Sequence, residues 1–300
     1  MLAHGGRPHG LGASPRRARL PALALAAILG AALGLCSCGG SGDGAVGVVA
    51  PPVQLLLAPV QPDRPPASAI AIPFVPAGTK RTDVGQGNHA AAIFRRRGQR
   101  LAGPVVVFLH GWAAVDPSRY GPWIGHLARR GVTVVYPAYQ TRSSVHTASL
   151  LANVAAAVRL ALARFPAPAG RFVVAGHSAG ATLAIDLAAT AASAGLPVPA
   201  AVMSAYPGRK IRDVPHPIPA ADAVLIPATT RMLILFGERD RSVGSATARA
   251  AAAAAINARV TLAMVTDDRV DDHSAPRRDD RAARATFWEA LDRLVAQTRH

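Results

Sequence analysis

A chain of 300 residues, half of them hydrophobic, can bury a sizeable core and folds as one domain or at most two. Its two cysteines, Cys36 and Cys38, sit together near the N-terminus, which excludes a core stapled by disulfides. The formal net charge of +16 raises nucleic acid as a partner, but no basic helix carries interleaved aromatics, so that class is set aside.

The N-terminus reads as an export signal. Arg16, Arg17 and Arg19 precede an apolar run from Leu20 to Leu35, too short to span a membrane comfortably and ending in small residues. Leu35-Cys36-Ser37-Cys38 resembles a bacterial lipobox, in which Cys38 would be lipidated and become the first residue; Ser14-Pro15-Arg16-Arg17 weakly resembles a twin-arginine signal. A freely secreted form is the alternative. Residues 1–37 are thus expected to be removed. Residues 38–66, rich in Gly and Pro, are expected to act as a flexible tether. The first 37 residues hold four arginines and no acid, which leaves +12 on the remainder, almost all from arginine. Such a surface suits the anionic outer face of a membrane or a wall polymer. Gly42-Asp43-Gly44-Ala45-Val46-Gly47 spells a dinucleotide-binding pattern but lacks the strand before it and the helix after it, and is rejected.

Beyond the tether, strands are predicted at Ala67–Pro76 and His89–Arg97, the latter ending in three arginines beside Gly98 that read as a solvated hairpin edge. The rhythm then changes. Pro104–Gly111 is a continuous apolar run, as a strand buried on both faces requires. A helix over Ser118–Arg130, a strand over Val132–Pro137 and a helix over Val145–Phe165, stopped by Pro166, follow. Next come a strand at Arg171–Gly176 and a helix at Ala179–Ala194. Ala200–Pro207, Arg231–Gly237 and Val260–Thr266 are further strands, with helices at Ser245–Ile256 and Asp279–Thr298. Alternation of this kind predicts an α/β fold: a mostly parallel central sheet with helices on both faces. Only a short Pro-rich insert lies between Pro207 and Thr230, so no large lid is expected.

Sites in such sheets gather at the carboxyl ends of the strands. Those ends read Leu109-His110-Gly111-Trp112, Gly176-His177-Ser178-Ala179-Gly180, Gly237-Glu238-Arg239-Asp240 and Asp271-Asp272-His273-Ser274. A serine fenced by glycines at a strand-to-helix turn is presented as a nucleophile. Its weak hydroxyl needs a base, for which His273 is the candidate, and that imidazole needs a carboxylate to set its tautomer. Asp240, Glu238, Asp271 and Asp272 compete for the last role. The backbone N–H groups of Ala179 and Trp112 are candidate donors to an oxyanion. His110, Gly111, His177 and Tyr120 are weaker candidates for the substrate pocket; Trp112 and Trp123 are further candidates, against which stands the rule that an aromatic near a core helix is usually core. Asp186 reads as a local structural partner. Asp267, Asp268, Asp271 and Asp272 lack the alternating spacing of a calcium loop and read as a solvated loop, so no metal is expected.

Across Pro104–Thr298 the segments "FLHGW", "GHSAG", "GERDRSV" and "DDHSAP" resemble the α/β-hydrolase superfamily, and more loosely its dienelactone-hydrolase, chlorophyllase and acetylhydrolase-like esterases. The resemblance implies an α/β-hydrolase catalytic domain over 67–300. It selects Asp240, by its spacing after Gly237, as the triad acid. It further implies attack on carboxylic esters through an acyl-serine, with no cofactor. A peptidase, thioesterase or acyltransferase on the same fold, or a non-catalytic exported lipoprotein, are the alternatives. Nothing in the sequence fixes an oligomeric state.

Overall fold

The computed structural model describes residues 73–298. The predicted signal, tether and Cys38 lie outside the described residues, as does most of the first predicted strand; its described part, Pro73–Pro76, is irregular. The first strand found is β1 (Thr79–Val84), which the sequence did not announce. Its residues, TKRTDV, are charged and polar, so no apolar alternation marks it. It is held in the sheet by antiparallel pairing with β2 (Ala90–Arg96).

The remaining strands are β3 (Val105–Leu109), β4 (Thr133–Ala138), β5 (Phe172–His177), β6 (Ala201–Ala205), β7 (Arg231–Gly237) and β8 (Arg259–Val265). They form one eight-stranded sheet in the order β1-β2-β4-β3-β5-β6-β7-β8. β2 is antiparallel to both neighbours and every later pairing is parallel. Because β1 lies outside it, β2 is not an edge strand, which corrects the hairpin-edge expectation for its arginines. Arg96 and Arg97 are exposed, but Arg95 stacks over Phe165 at 4.8 Å and donates to the Gln99 carbonyl at 2.6 Å.

Helices cover both faces. On one lie α2 (Leu150–Arg164), α3 (Ala179–Thr190) and α4 (Ala246–Ala254), packed on alternate residues such as Val105, Val107 and Leu109. On the other lies α1 (Gly121–Arg129), packed on Val106 and Phe108. The same face carries the C-terminal helix, which begins as α5 (Arg281–Ala283), widens into a π-turn over Arg284–Trp288 and continues as α6 (Glu289–Gln297). This is the period-two division that a doubly covered strand imposes. α3 is apolar nearly all round and buried from Ala179 to Ala189, as a helix at the centre of a sheet must be. Its one acid, Asp186, is fully buried and is held by Arg209 through two bonds of 2.8 and 2.9 Å and by the Ala221 N–H at 3.0 Å. That pairing ties the insert after β6 to α3. α2 starts five residues later than expected, and in the segment before it Thr147 Oγ1 donates to the carbonyl of Pro217 at 3.1 Å. Between β6 and β7 the described chain contains one 3-10 turn, Ala223–Leu225.

Candidate active site

The turn from β5 into α3 places Ser178 at φ 58°, ψ −121°, a conformation that costs a non-glycine residue about 1–3 kcal/mol. The flanking glycines make that turn possible by close approach. A Cβ on Gly176 would overlap the carbonyl of Gly180, and one on Gly180 would overlap the carbonyl of Leu109 at the end of β3. Alanine at either position would push strand and helix apart and lower the serine from its perch.

The loop after β8 brings His273 over this turn. Its Nε2 lies 2.9 Å from Ser178 Oγ, and its Nδ1 lies 2.8 Å from Asp240 Oδ2 in the loop after β7. The Asp240 carboxylate is shielded from solvent, and its other oxygen accepts from the backbone N–H groups of Ser242 (2.9 Å) and Val243 (3.2 Å). The carboxylate is therefore fixed before the histidine meets it. The three side chains come from positions 33 to 95 residues apart.

The rival acids are otherwise engaged. Glu238 is exposed. Asp272 caps Ser274 and pairs with Arg278. Asp271 is buried, and its two carboxylate oxygens share the single Arg239 Nε–H, at 2.8 and 3.0 Å. The acid cluster is thus not wholly a solvated loop: burial of Asp271 corrects that reading, and its pairing with Arg239 clamps the acid-bearing loop to the histidine-bearing loop. Among the described residues no group of three or more His, Cys, Asp or Glu side chains could hold a metal ion.

Ala179 opens α3, where the first backbone N–H groups have no intrahelical acceptor. Trp112, half-buried, stands in the turn after β3, which Ala114 closes by donating to the Gly111 carbonyl at 3.0 Å. The remaining pocket candidates lie close to the serine turn. His110, Gly111, Tyr120 and His177 are all buried, and a Cβ on Gly111 would lie 3.4 Å from that of Ser178. Gly111, Tyr120 and His177 form a strut. The Gly111 N–H donates to the Tyr120 hydroxyl at 3.0 Å, that hydroxyl donates to His177 Nδ1 at 2.8 Å, and His177 Nε2 donates to the His273 carbonyl at 2.8 Å. This chain couples the Trp112 loop to the backbone of His273. Tyr206, which no sequence signal marked, supports the same loop: at φ 56° after β6 it donates to the Val270 carbonyl at 2.6 Å, and its ring lies 6.5 Å from that of His273. Trp123 is core, 5.1 Å from Phe108 edge to face.

The strut requires a neutral His177, and His110 is buried beside it. Loss of solvation, then the neighbouring His273, hold His177 well below its ordinary value. Loss of solvation likewise pushes His110 down to about 4, partly offset by its bond to the Gly111 carbonyl. In the unfolded chain both bind a proton below about pH 6.5. The stabilisation from keeping them neutral is thus fully present above that pH. It is lost as pH falls, at about 1.4 kcal/mol per pH unit for each group, until the folded-state value is reached. Urea midpoints are expected to be lower at pH 5 than at pH 7. Equal midpoints in the wild type, or an unchanged drop in a His110→Phe/His177→Gln double variant, would contradict this assignment.

A family model described as a thioesterase domain matches residues 105–291, more than half the chain. No curated protein matches. Solved structures share the fold. An esterase from Pseudomonas putida superposes with a TM-score of 0.60 at 17% identity, over 75% of this chain and 85% of its own. A fungal esterase from Rhizomucor miehei gives 0.58 at 17%, over 75% and 86%. A protein from Klebsiella pneumoniae assigned as a dienelactone hydrolase gives 0.54 at 21%, over 73% and 98%. At these identities the likeness carries the fold alone.

Proposed function

We propose, from the premise that this chain belongs to the thioesterase-domain family of α/β-hydrolases, that it is a serine hydrolase cleaving carboxylic esters through an acyl-serine. The observation that carries the reading is the double engagement of His273, 2.9 Å from a strained serine and 2.8 Å from a shielded carboxylate. In the first half-reaction Ser178 Oγ attacks the ester carbonyl while His273 Nε2 takes its proton. Asp240 holds the imidazole with Nδ1–H toward itself and stabilises the imidazolium. The Ala179 and Trp112 N–H groups receive the oxyanion, each worth about 3 kcal/mol in the transition state. The proton on Nε2 then goes to the departing alcohol oxygen. In the second half, water gives its proton to the same nitrogen as it attacks the acyl-serine, and Ser178 regains it as the acid leaves. The chemistry requires no cofactor.

A thioester substrate is the second reading, favoured by the family match over 105–291. The same steps then expel a thiol. A fluorophosphonate probe tests both readings at once: labelling of Ser178 supports a serine hydrolase, and absence of labelling with the folded protein overturns it. Oxoester and thioester substrates of matched acyl length then separate the two.

The enzyme works outside the cytoplasmic membrane. The Leu20–Leu35 run and Leu35-Cys36-Ser37-Cys38 support cleavage before Cys38 and its acylation, with the arginine-rich surface assisting on anionic lipid. Mass spectrometry of the mature N-terminus is expected to find lipidated Cys38. An unmodified N-terminus with activity in the medium would show a freely secreted enzyme, and a retained Met1 would overturn export by cleavage.

A further inference from the structure

The two outer edges of the sheet differ in a way that the proposed hydrolysis does not explain. An exposed strand edge is a template for further pairing, and proteins blunt it with charge, proline or a bulge. β1 is blunted: Lys80, Arg81 and Asp83 stand along it. β8, at the other edge, reads Arg-Val-Thr-Leu-Ala-Met-Val over Arg259–Val265, with no proline and with its single charge at the first residue. Its seven residues are straight enough to match β7 without a break in register. Among the described residues no strand pairs with its outer side.

Which backbone groups face outward follows from the bonds made inward. The Arg259 N–H donates to the Thr230 carbonyl at 3.1 Å, and the Val265 carbonyl accepts from the Glu238 N–H at 3.1 Å. Successive residues of a strand alternate sides, so 259, 261, 263 and 265 bond to β7. The N–H and C=O groups of Val260, Leu262 and Met264 point away from it. The surrounding surface is unusually apolar. Nine large hydrophobic side chains are exposed among the described residues, and four of them gather here. Met264 lies on the strand, Ile256 is in the turn that enters it, and Val224 and Leu225 are tied to that turn by Asn257 Nδ2, which donates to the Val224 carbonyl at 2.8 Å.

We propose that β8 pairs antiparallel with β8 of a second copy of this chain, joining the two sheets about a two-fold axis at Leu262. The outward groups dictate the register. Leu262 exchanges both bonds with Leu262 of the second copy, and Val260 exchanges both with Met264 of the second copy, so every outward group between 260 and 264 is satisfied. A two-fold axis requires such self-complementarity, which a parallel arrangement lacks. The charges are compatible with this register. Arg259 falls opposite Val265 of the second copy, so the two arginines lie at opposite ends of the ladder. Each then stands where Asp267 and Asp268 of the other copy leave the strand. Like charges directly across a ladder would oppose pairing; here the two arginines are separated by the length of the strand.

Light scattering on the size-fractionated full chain at micromolar concentration is expected to give twice the chain mass. Met264→Lys places a charge on the ladder directly opposite the apolar Val260 of the second copy, the device by which edge strands are blunted against pairing, and Met264→Pro deletes one outward N–H at an edge position where proline is tolerated. Both variants are expected to elute at the chain mass with unchanged thermal melting and unchanged fluorophosphonate labelling. Hydrogen exchange gives a readout independent of any variant: the 259–265 peptide should exchange slowly in the dimer and faster on dilution. A wild type at the chain mass, a dimer that persists in both variants, or fast exchange in a dimeric sample would each overturn the pairing.

Discussion

Ser178→Ala is expected to abolish ester hydrolysis, with a loss in kcat on the order of 10⁴-fold or more. Alanine removes the only atom that attacks, and the histidine and carboxylate then have nothing to activate; members of such a set act as a unit, so losing one forfeits most of what all contribute. Binding of substrate should change little, because the proposed oxyanion donors are backbone groups of Ala179 and Trp112 that the substitution leaves in place. Alanine also relieves the left-handed turn only slightly, since it too carries a Cβ at φ 58°. The folded stability of the variant should therefore stay near that of the wild type. Initial rates on a short-chain ester, with a denaturation curve as control, check both halves. Activity within tenfold of wild type would sink the assignment.

Asp240→Asn is expected to lower kcat about 10³- to 10⁴-fold, and the loop around it explains why so small a change costs so much. Asp240 Oδ1 accepts two backbone N–H bonds, from Ser242 and Val243. Asparagine can satisfy those donors only with its carbonyl oxygen, which forces its NH₂ toward His273 Nδ1. That nitrogen must then accept, so the ring proton moves to Nε2, the atom that must take the serine proton. The fold remains while the tautomer is wrong. Glu238→Gln, on an exposed side chain, should remain within a few-fold of wild type. Asp272→Asn should do the same, apart from loosening its contacts to Ser274 and Arg278. A large loss in either variant with Asp240→Asn near normal would mean that another acid serves the histidine.

The carboxylate contest shows where reading along the chain stops. Four acids lie within reach of His273 in sequence or by analogy, and spacing after Gly237 favours Asp240 only through the family likeness. What separates them physically is the turn that buries Asp240 with two N–H donors on one oxygen, and Arg239, which takes Asp271 for itself. Both depend on loops from different strands meeting, so neither is encoded in a local pattern. The strut is the same kind of fact: Tyr120 and His177 are 57 residues apart, and His177 and His273 are 96 apart. Nothing near His177 in the sequence distinguishes a pocket residue from a buried brace.

Local signals were enough wherever the physics is local. Continuous apolar runs such as Val105–Leu109 and Phe172–His177 mark strands covered on both faces, because a strand in that position has no polar side to show. The alternation of those runs with helical spacing determined the parallel sheet, and glycines two residues either side of Ser178 marked the sharp strand-to-helix turn that carries the proposed nucleophile, because only glycine tolerates the backbone contacts there. β1 escaped because a charged edge strand hides its period, its place being set by pairing with β2. The sequence by itself thus determined the layers of this protein and the strand ends at which its chemistry gathers. Only the tertiary structure decided which acid faces His273, which aromatic and imidazole groups are braces, and which sheet edge is left open, because each of those is settled by contacts between segments far apart in the chain.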